Sequence, residues 1–152
     1  QLAKRRGAHI TAQCSSSKFN EIKKIGANEV VSRKTNLVSE LGKNKFDAVI
    51  DVVAGENWTQ LLEILKPGGR YATSGAIAGP IVSLDVRTLY LKDLTFYGCT
   101  YQPIEIFQNL IKYIETGKIK PLVAKTYPLK EIKKAQEDFL LKKHVGKLVL
   151  FP

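Results

Sequence analysis

Three serines and two cations head the residues that can do chemistry in this chain. Cys14-Ser15-Ser16-Ser17-Lys18 closes one short apolar run, and Arg33 follows a second, Glu29-Val30-Val31. Hydroxyls donate hydrogen bonds to phosphate oxygens, Lys18 adds charge, and a helix opening near Ser17 adds backbone N–H groups. Serines before a helix are also ordinary N-caps, and at this point both readings stand. A second stretch, Asp51 to Gly75, reads DVVAGENWTQLLEILKPGGRYATSG. An acidic residue ends an apolar run, an amphipathic segment and Lys66-Pro67-Gly68-Gly69 follow, and another apolar run ends in Ser74-Gly75. Such a layout suits either of two cofactors, S-adenosylmethionine or a nicotinamide dinucleotide.

Other chemistries find less support. Cys14 and Cys99 are far apart and belong to no Cys-x-x-Cys pair, so neither a disulfide framework nor a cysteine-based zinc site is indicated. His9 and His144 are isolated, so no metal site is assigned. Reduced cysteines fit a cytoplasmic protein. No apolar run approaches the roughly 18 residues of a membrane span, and no signal-peptide pattern opens the chain. The net charge of +10 raises the question of nucleic acid. Its basic residues are dense before position 50 and after position 110, but acids are interspersed and no aromatic-studded motif accompanies them. A solvated surface is expected, with a local pocket for an anionic cofactor adding to the basicity.

The elements that must position these residues alternate. At 152 residues the length suits one domain. His9-Ile10-Thr11-Ala12 reads as a strand. Lys18 to Ile25 reads as a helix, with Phe19, Ile22 and Ile25 on one face and Gly26 as its stop. Glu29 to Val31 is a strand, and Asn36 to Leu41 a helix ended by Gly42. Phe46 to Ile50 reads as a central buried strand, followed by a helix from Glu56 to Leu65, a Pro67-Gly68-Gly69 turn and a strand from Arg70 to Thr73. Leu94 to Cys99 is a strand. The helix from Pro103 to Thr116 carries Ile104, Phe107, Leu110, Ile111 and Ile114 as its apolar stripe. Leu122 to Thr126 is a strand, Ile132 to Phe139 a helix, and Lys147 to Phe151 the last strand. Strands alternating with helices imply βαβ units and a parallel sheet with helices on both faces. Gly75 to Asp93 is the least regular part, a candidate loop over a ligand at the carboxyl ends of the strands.

The two cofactors leave different marks. A methyltransferase usually needs an acid at the end of an earlier strand to hold the cofactor ribose, and its sheet usually ends in an antiparallel hairpin. Here HITAQCSSSK offers no acid, and after position 100 a helix, strand, helix and strand follow. A dehydrogenase using NAD also places Asp or Glu at that strand end, whereas an NADP enzyme replaces it with small hydroxyl residues and a nearby cation. Cys14 to Lys18 has the latter character. A methyltransferase and a non-catalytic Rossmann-like interaction module remain the alternatives.

Taken in order, several stretches resemble the medium-chain dehydrogenase/reductase superfamily in its quinone-oxidoreductase-like branch. They are QLAKRRGAHITAQCSSSKFNEIKKIGANEVVSRK, Phe46-Asp47 to Asp51, Lys66-Pro67-Gly68-Gly69-Arg70, ETGKIKP at 115–121 and GKLVL at 146–150. The resemblance covers nearly the whole chain. It implies a Rossmann-like, doubly wound α/β parallel sheet that binds NADP(H) and moves hydride to or from a quinone, enone, aldehyde or alcohol. Ser15, Ser16 and Lys18 match the adenosine 2′-phosphate region. Arg33 stands where many members have a Tyr, and its planar, permanently charged guanidinium suits both phosphate and adenine. Val52 and Val53 match backbone positions near the ribose. Ser74, Gly75 and Ala76 match the turn beside the nicotinamide, and Gly98, Cys99 and Thr100 a later turn on the same side. Lys147 matches a Gly-Lys pair often close to the cofactor, and an exposed strand lysine is the equal alternative.

The same resemblance implies that residues 1–152 are a partial dinucleotide-binding domain plus a C-terminal segment returning to a substrate domain. The chain holds no Met and opens on QLAKRRGAHI, which reads as the last turns of a helix entering a strand. A fragment is therefore expected, with the first strand, the Gly-rich phosphate loop and the substrate domain upstream, and any catalytic zinc ligands mostly there too, so that zinc is neither supported by these residues nor excluded for the parent. Such a piece is expected to bind cofactor poorly and, through its open sheet position, to self-associate or to be marginally stable. The expected partners are a small-molecule substrate and further copies in a homo-oligomer, with no nucleic acid and no membrane. No general acid or base is assigned. Tyr90, Tyr97 and Tyr101 can donate a proton, but structural tyrosines are commoner.

Overall fold

Turn residues punctuate this chain where the backbone demands it. The computed structural model describes residues 1–152. Asn36 accepts a hydrogen bond from the Ser39 N–H at 3.0 Å and so caps α3 (Leu37–Leu41), and Gly42 ends that helix at φ +81°. Asp85 does the same for α5 (Val86–Leu91) through the Arg87 N–H. The other helices are α1 (Leu2–Arg5), α2 (Phe19–Lys24), α4 (Trp58–Glu63), α6 (Ile104–Glu115) and α7 (Ile132–Leu140). The strands are β1 (Thr11–Cys14), β2 (Glu29–Ser32), β3 (Phe46–Asp51), β4 (Leu65–Thr73), β5 (Thr95–Gly98), β6 (Val123–Pro128) and β7 (Lys147–Phe151). No helix is long and apolar enough to cross a membrane.

Every strand pair is parallel, as the alternation of elements predicts: β1 with β2, β3 with β4, β4 with β5, and β6 with β7. The chain forms two compact units. One is Lys34–Pro103 and the other joins Gln1–Arg33 to Ile104–Pro152.

In the Lys34–Pro103 unit the sheet order is β3-β4-β5. Its core is Trp58, Leu62, Leu65, Tyr71 and Leu94, with Phe46, Val49, Leu61 and Phe96 packed against them. The expectation of a central, buried strand at Phe46 to Ile50 is corrected here. β3 is an edge strand of this sheet, and Ile50 is 77% exposed. Its apolar run signals burial on two faces, yet only Phe46 and Val49 pack against the core. β4 begins at Leu65, earlier than expected: Leu65 pairs with Phe46 and Arg70 with Ala48, and Lys66 to Gly69 bulge between them without a partner in the register. The Lys92 ammonium donates to the carbonyls of Leu62 and Glu63 at 2.8 and 3.1 Å, closing the end of α4.

In the other unit β1–β2 and β6–β7 form separate two-stranded ladders. β1 begins two residues later than the expected strand at His9 to Ala12. Tyr127, Ala135 and Val31 are the buried residues. The phenol of Tyr127 donates to Asp138, which also accepts from Lys125, and so ties α7 to β6. The Gln1 side chain exchanges two hydrogen bonds with the backbone of Lys120, at 2.9 and 2.8 Å.

Candidate functional site

The candidate residues fall into two groups, one in each unit. In the Lys34–Pro103 unit the parallel register aligns Asp51, Thr73 and Gly98 as one row at the carboxyl ends of β3, β4 and β5. The Ser74 N–H donates to the Asp51 carbonyl at 3.2 Å, and the Cys99 N–H to the Thr73 carbonyl at 2.8 Å. Val52, Val53, Ser74, Gly75, Ala76, Gly98, Cys99 and Thr100 therefore share one rim. Gly75 is required there, since a Cβ would stand 3.0 Å from the Val52 carbonyl oxygen. The Ala78 N–H donates to the Val53 carbonyl at 2.9 Å and binds the two turns together. Val52 and Val53 are half exposed beside them, at 55% and 47%.

Behind the rim lies a hydrogen-bond chain that the sequence reading missed. Asp51 is buried at 6% exposure. One carboxylate oxygen accepts from the N–H groups of Val53 and Ala54 at 2.8 and 3.1 Å. The other accepts from the Tyr71 hydroxyl at 2.7 Å, and that hydroxyl accepts from the Trp58 indole N–H at 2.7 Å. Trp58, Tyr71 and Phe96 meet edge to face at centroid distances of 5.3–6.0 Å. They wall a cavity of about 280 Å3 beside the rim, to which Ala76, Tyr97 and Gly98 also contribute. Of the three tyrosines considered as proton donors, Tyr97 is the one lining this cavity. Tyr90 and Tyr101 are 60% and 86% exposed. The sequence held one sign of the chain: an acid ending an apolar strand, with Trp and Tyr in the next two elements.

Burial, and then the Asp51 carboxylate, push the Tyr71 phenol above its ordinary value of 10.0. Burial and Asp138 do the same for Tyr127. The folded chain thus holds these protons more tightly than the unfolded chain. Their contribution to stability is complete below pH 10 and is lost as pH rises through the raised values. Titrating tyrosinate absorbance should show two of the six tyrosines ionising late. All six titrating together would contradict this packing.

In the other unit, Cys14 pairs in register with Ser32, and the Arg33 N–H donates to the Cys14 carbonyl at 3.1 Å. Arg33 thus stands at the carboxyl end of β1. Ser15 caps a short 3-10 turn (Ser16–Lys18) without a side-chain cap bond, and its hydroxyl pairs instead with that of Ser17 at 3.2 Å. The simple N-cap reading of these serines therefore has no bond behind it. The Lys18 ammonium donates to the His144 carbonyl at 2.9 Å, a neutral acceptor that leaves its charge in place. Burial pushes the Cys14 thiol up, while Lys18 and Arg33 pull it down, so both cations act on this strand end. Lys147 is exposed at the start of β7, and its N–H donates to the Leu122 carbonyl at 2.7 Å.

Each group by itself has chemistry suited to part of a nucleotide: a cation pair at one strand end, and, in the other unit, a rim of strand-end turns around a close-packed glycine. They do not fit zinc. No three of the His, Cys, Asp and Glu side chains come together to hold a metal ion, and no step is derived through one.

Comparison with known proteins agrees with this geometry. The family model for zinc-binding dehydrogenases matches residues 25–150. The structure of a protein assigned as an alcohol dehydrogenase from Sinorhizobium meliloti 1021 superposes with a TM-score of 0.91 at 45% identity, covering 99% of this chain and 43% of that one. Acryloyl-coenzyme A reductase of Metallosphaera sedula is 31% identical over 99% of this chain and 45% of its own length. Quinone oxidoreductase of Mus musculus is 28% identical over 92% of this chain and 46% of its own. The chain thus spans a little under half the length of each of these three proteins. With its parallel α/β fold and a family match across most of its length, the chain belongs to the zinc-binding dehydrogenase family, within the medium-chain dehydrogenase/reductase superfamily.

Proposed function

We propose that this chain is the cofactor-binding part of an NADP(H)-dependent oxidoreductase that moves hydride to or from a quinone, enone, aldehyde or alcohol. The observation that carries the cofactor preference is the end of β1. No carboxylate stands among Gln13 to Ser17, and the charges of Lys18 and Arg33 both reach the Cys14 thiol there. A carboxylate would accept from the 2′-hydroxyl of NAD and repel a 2′-phosphate, whereas two cations favour the phosphate. The names of the similar proteins support the acceptor class, since an enoyl thioester reductase and a quinone reductase stand among them.

When bound, the dinucleotide supplies the hydride chemistry. The chain's residues hold and orient. Ser15, Ser16, Lys18 and Arg33 would take the 2′-phosphate. Val52 and Val53 would meet the ribose, and Ser74, Gly75 and Ala76 would set the nicotinamide plane with main-chain groups. Gly98, Cys99 and Thr100 would close the same side. Lys147 would add a cation near the cofactor.

Replacing Arg33 with Ala should cost about 1.5–3 kcal/mol of NADPH affinity, the range of a hydrogen bond to a charged group. NADH affinity should barely change. Titration of both cofactors against both proteins checks this, and equal losses would sink the 2′-phosphate assignment.

A further inference from the structure

The 51–55 turn is held in a conformation its own sequence does not favour. Ala54 sits at φ +53°, in the left-handed region that costs a residue with a Cβ about 1–2 kcal/mol. Gly55 follows at φ +85°, where a Cβ would stand 2.9 Å from that of Ala78. A backbone so placed persists only where its surroundings over-determine it. Those surroundings are the Asp51 carboxylate, which collects the two successive N–H groups of Val53 and Ala54.

The carboxylate is itself held from behind. An indole N–H can only donate, so the Tyr71 hydroxyl, accepting from Trp58, must aim its single proton at Asp51. Tyr71 and Trp58 are 4% and 5% exposed, and Phe96 packs edge-on against both rings. The three polar groups come from the end of β3, the start of α4 and the middle of β4. Their relay fixes where the Val53 carbonyl meets the Ala78 N–H, and where the Val52 carbonyl lies over Gly75.

We propose that Tyr71 and Trp58 are positioning residues for the dinucleotide: through the Asp51 carboxylate they set the left-handed 51–55 turn and with it the backbone of Val52 and Val53 on the rim. Neither reaches a bound nucleotide by way of this relay; each acts through Asp51. The assignment rests on reading the rim as the nicotinamide side of the cofactor site.

The test uses the whole chain and Tyr71→Phe, which keeps the ring and removes only the hydroxyl. Amide hydrogen exchange at Val53 and Ala54 should quicken by about tenfold, the scale of one lost hydrogen bond. The β4–β5 ladder amides should not change. NADPH affinity should fall roughly 3- to 10-fold. Affinity for 2′,5′-ADP, which lacks the nicotinamide half, should hold. Trp58→Phe should move the same amides in the same direction by less, and stands in if Tyr71→Phe fails to fold. Unchanged exchange at Val53 and Ala54 would overturn the proposal. So would a rise spread evenly over the ladder, or equal losses for NADPH and 2′,5′-ADP. A chain of its relatives' length that binds neither nucleotide would defeat the dinucleotide reading instead, and the exchange pattern alone would then decide the relay.

Discussion

Assayed alone, the 152-residue chain should oxidise NADPH with a small quinone no faster than buffer does, while a chain of its relatives' length should turn over. The difference should be about a thousandfold or more, because positioning alone can supply several kcal/mol of barrier lowering. The rim explains why. Val52 and Val53 are half exposed and Ile77 is 82% exposed, so water reaches the rim that the proposed function places beside the nicotinamide. None of the eleven glycines forms a Gly-x-Gly-x-x-Gly run, the arrangement that brings backbone N–H groups to a pyrophosphate. On the proposed reading the chain supplies contacts to the 2′-phosphate and the nicotinamide side, and the pyrophosphate contacts and a wall over the substrate are what the longer chain is expected to add. The check is a quinone panel run on both chains. Comparable turnover would show that residues 1–152 hold the complete catalytic constellation.

Gly146→Ala should cost about 3–5 kcal/mol, the sum of a disfavoured backbone and a forced contact. Gly146 sits at φ +108°, and a Cβ there would stand 2.6 Å from the Leu122 carbonyl oxygen and 3.0 Å from its carbon. Both neighbours are backbone, so no side chain can swing aside. The same carbonyl accepts from the Lys147 N–H, the bond that opens the β6–β7 ladder. The methyl would therefore push apart the two strands where their pairing begins. Urea denaturation followed by far-ultraviolet circular dichroism measures the loss. A change under 1 kcal/mol would mean the strands begin pairing elsewhere.

The order of elements was legible because punctuation and apolar spacing agree in this chain. Gly42 after Leu41, Gly117 after Thr116 and the stripe from Ile104 to Ile114 each carry a local physical reason. The short helix α5 was not legible: Asp85 caps it, but Pro80, Gly79 and a mixed apolar run around it read as loop. Nor was the edge position of β3, since which strands neighbour it depends on topology and not on its own residues. The boundaries of the two compact units, at Arg33 and Pro103, carry no linker composition and so leave no mark in the sequence. Within the candidate site, the rim positions came from resemblance, residue by residue. The relay came from neither source. Asp51, Trp58 and Tyr71 share no period and meet only because β3 and β4 lie side by side with α4 between them in sequence.

The division of the chain has a consequence for its birth on the ribosome. Lys34–Pro103 is continuous, so all of its partners have been made once Pro103 leaves the exit tunnel. Its neighbour unit is split, and β6 cannot find β7 until Lys147–Phe151 has been made. At about 5–20 residues per second, roughly 6–24 s pass between the emergence of Arg33 and that of Pro152. Because every pairing is parallel, no hairpin can close early to shelter the waiting strands. Throughout that interval β1 and β2 wait for the Ile104–Pro152 part of their own unit.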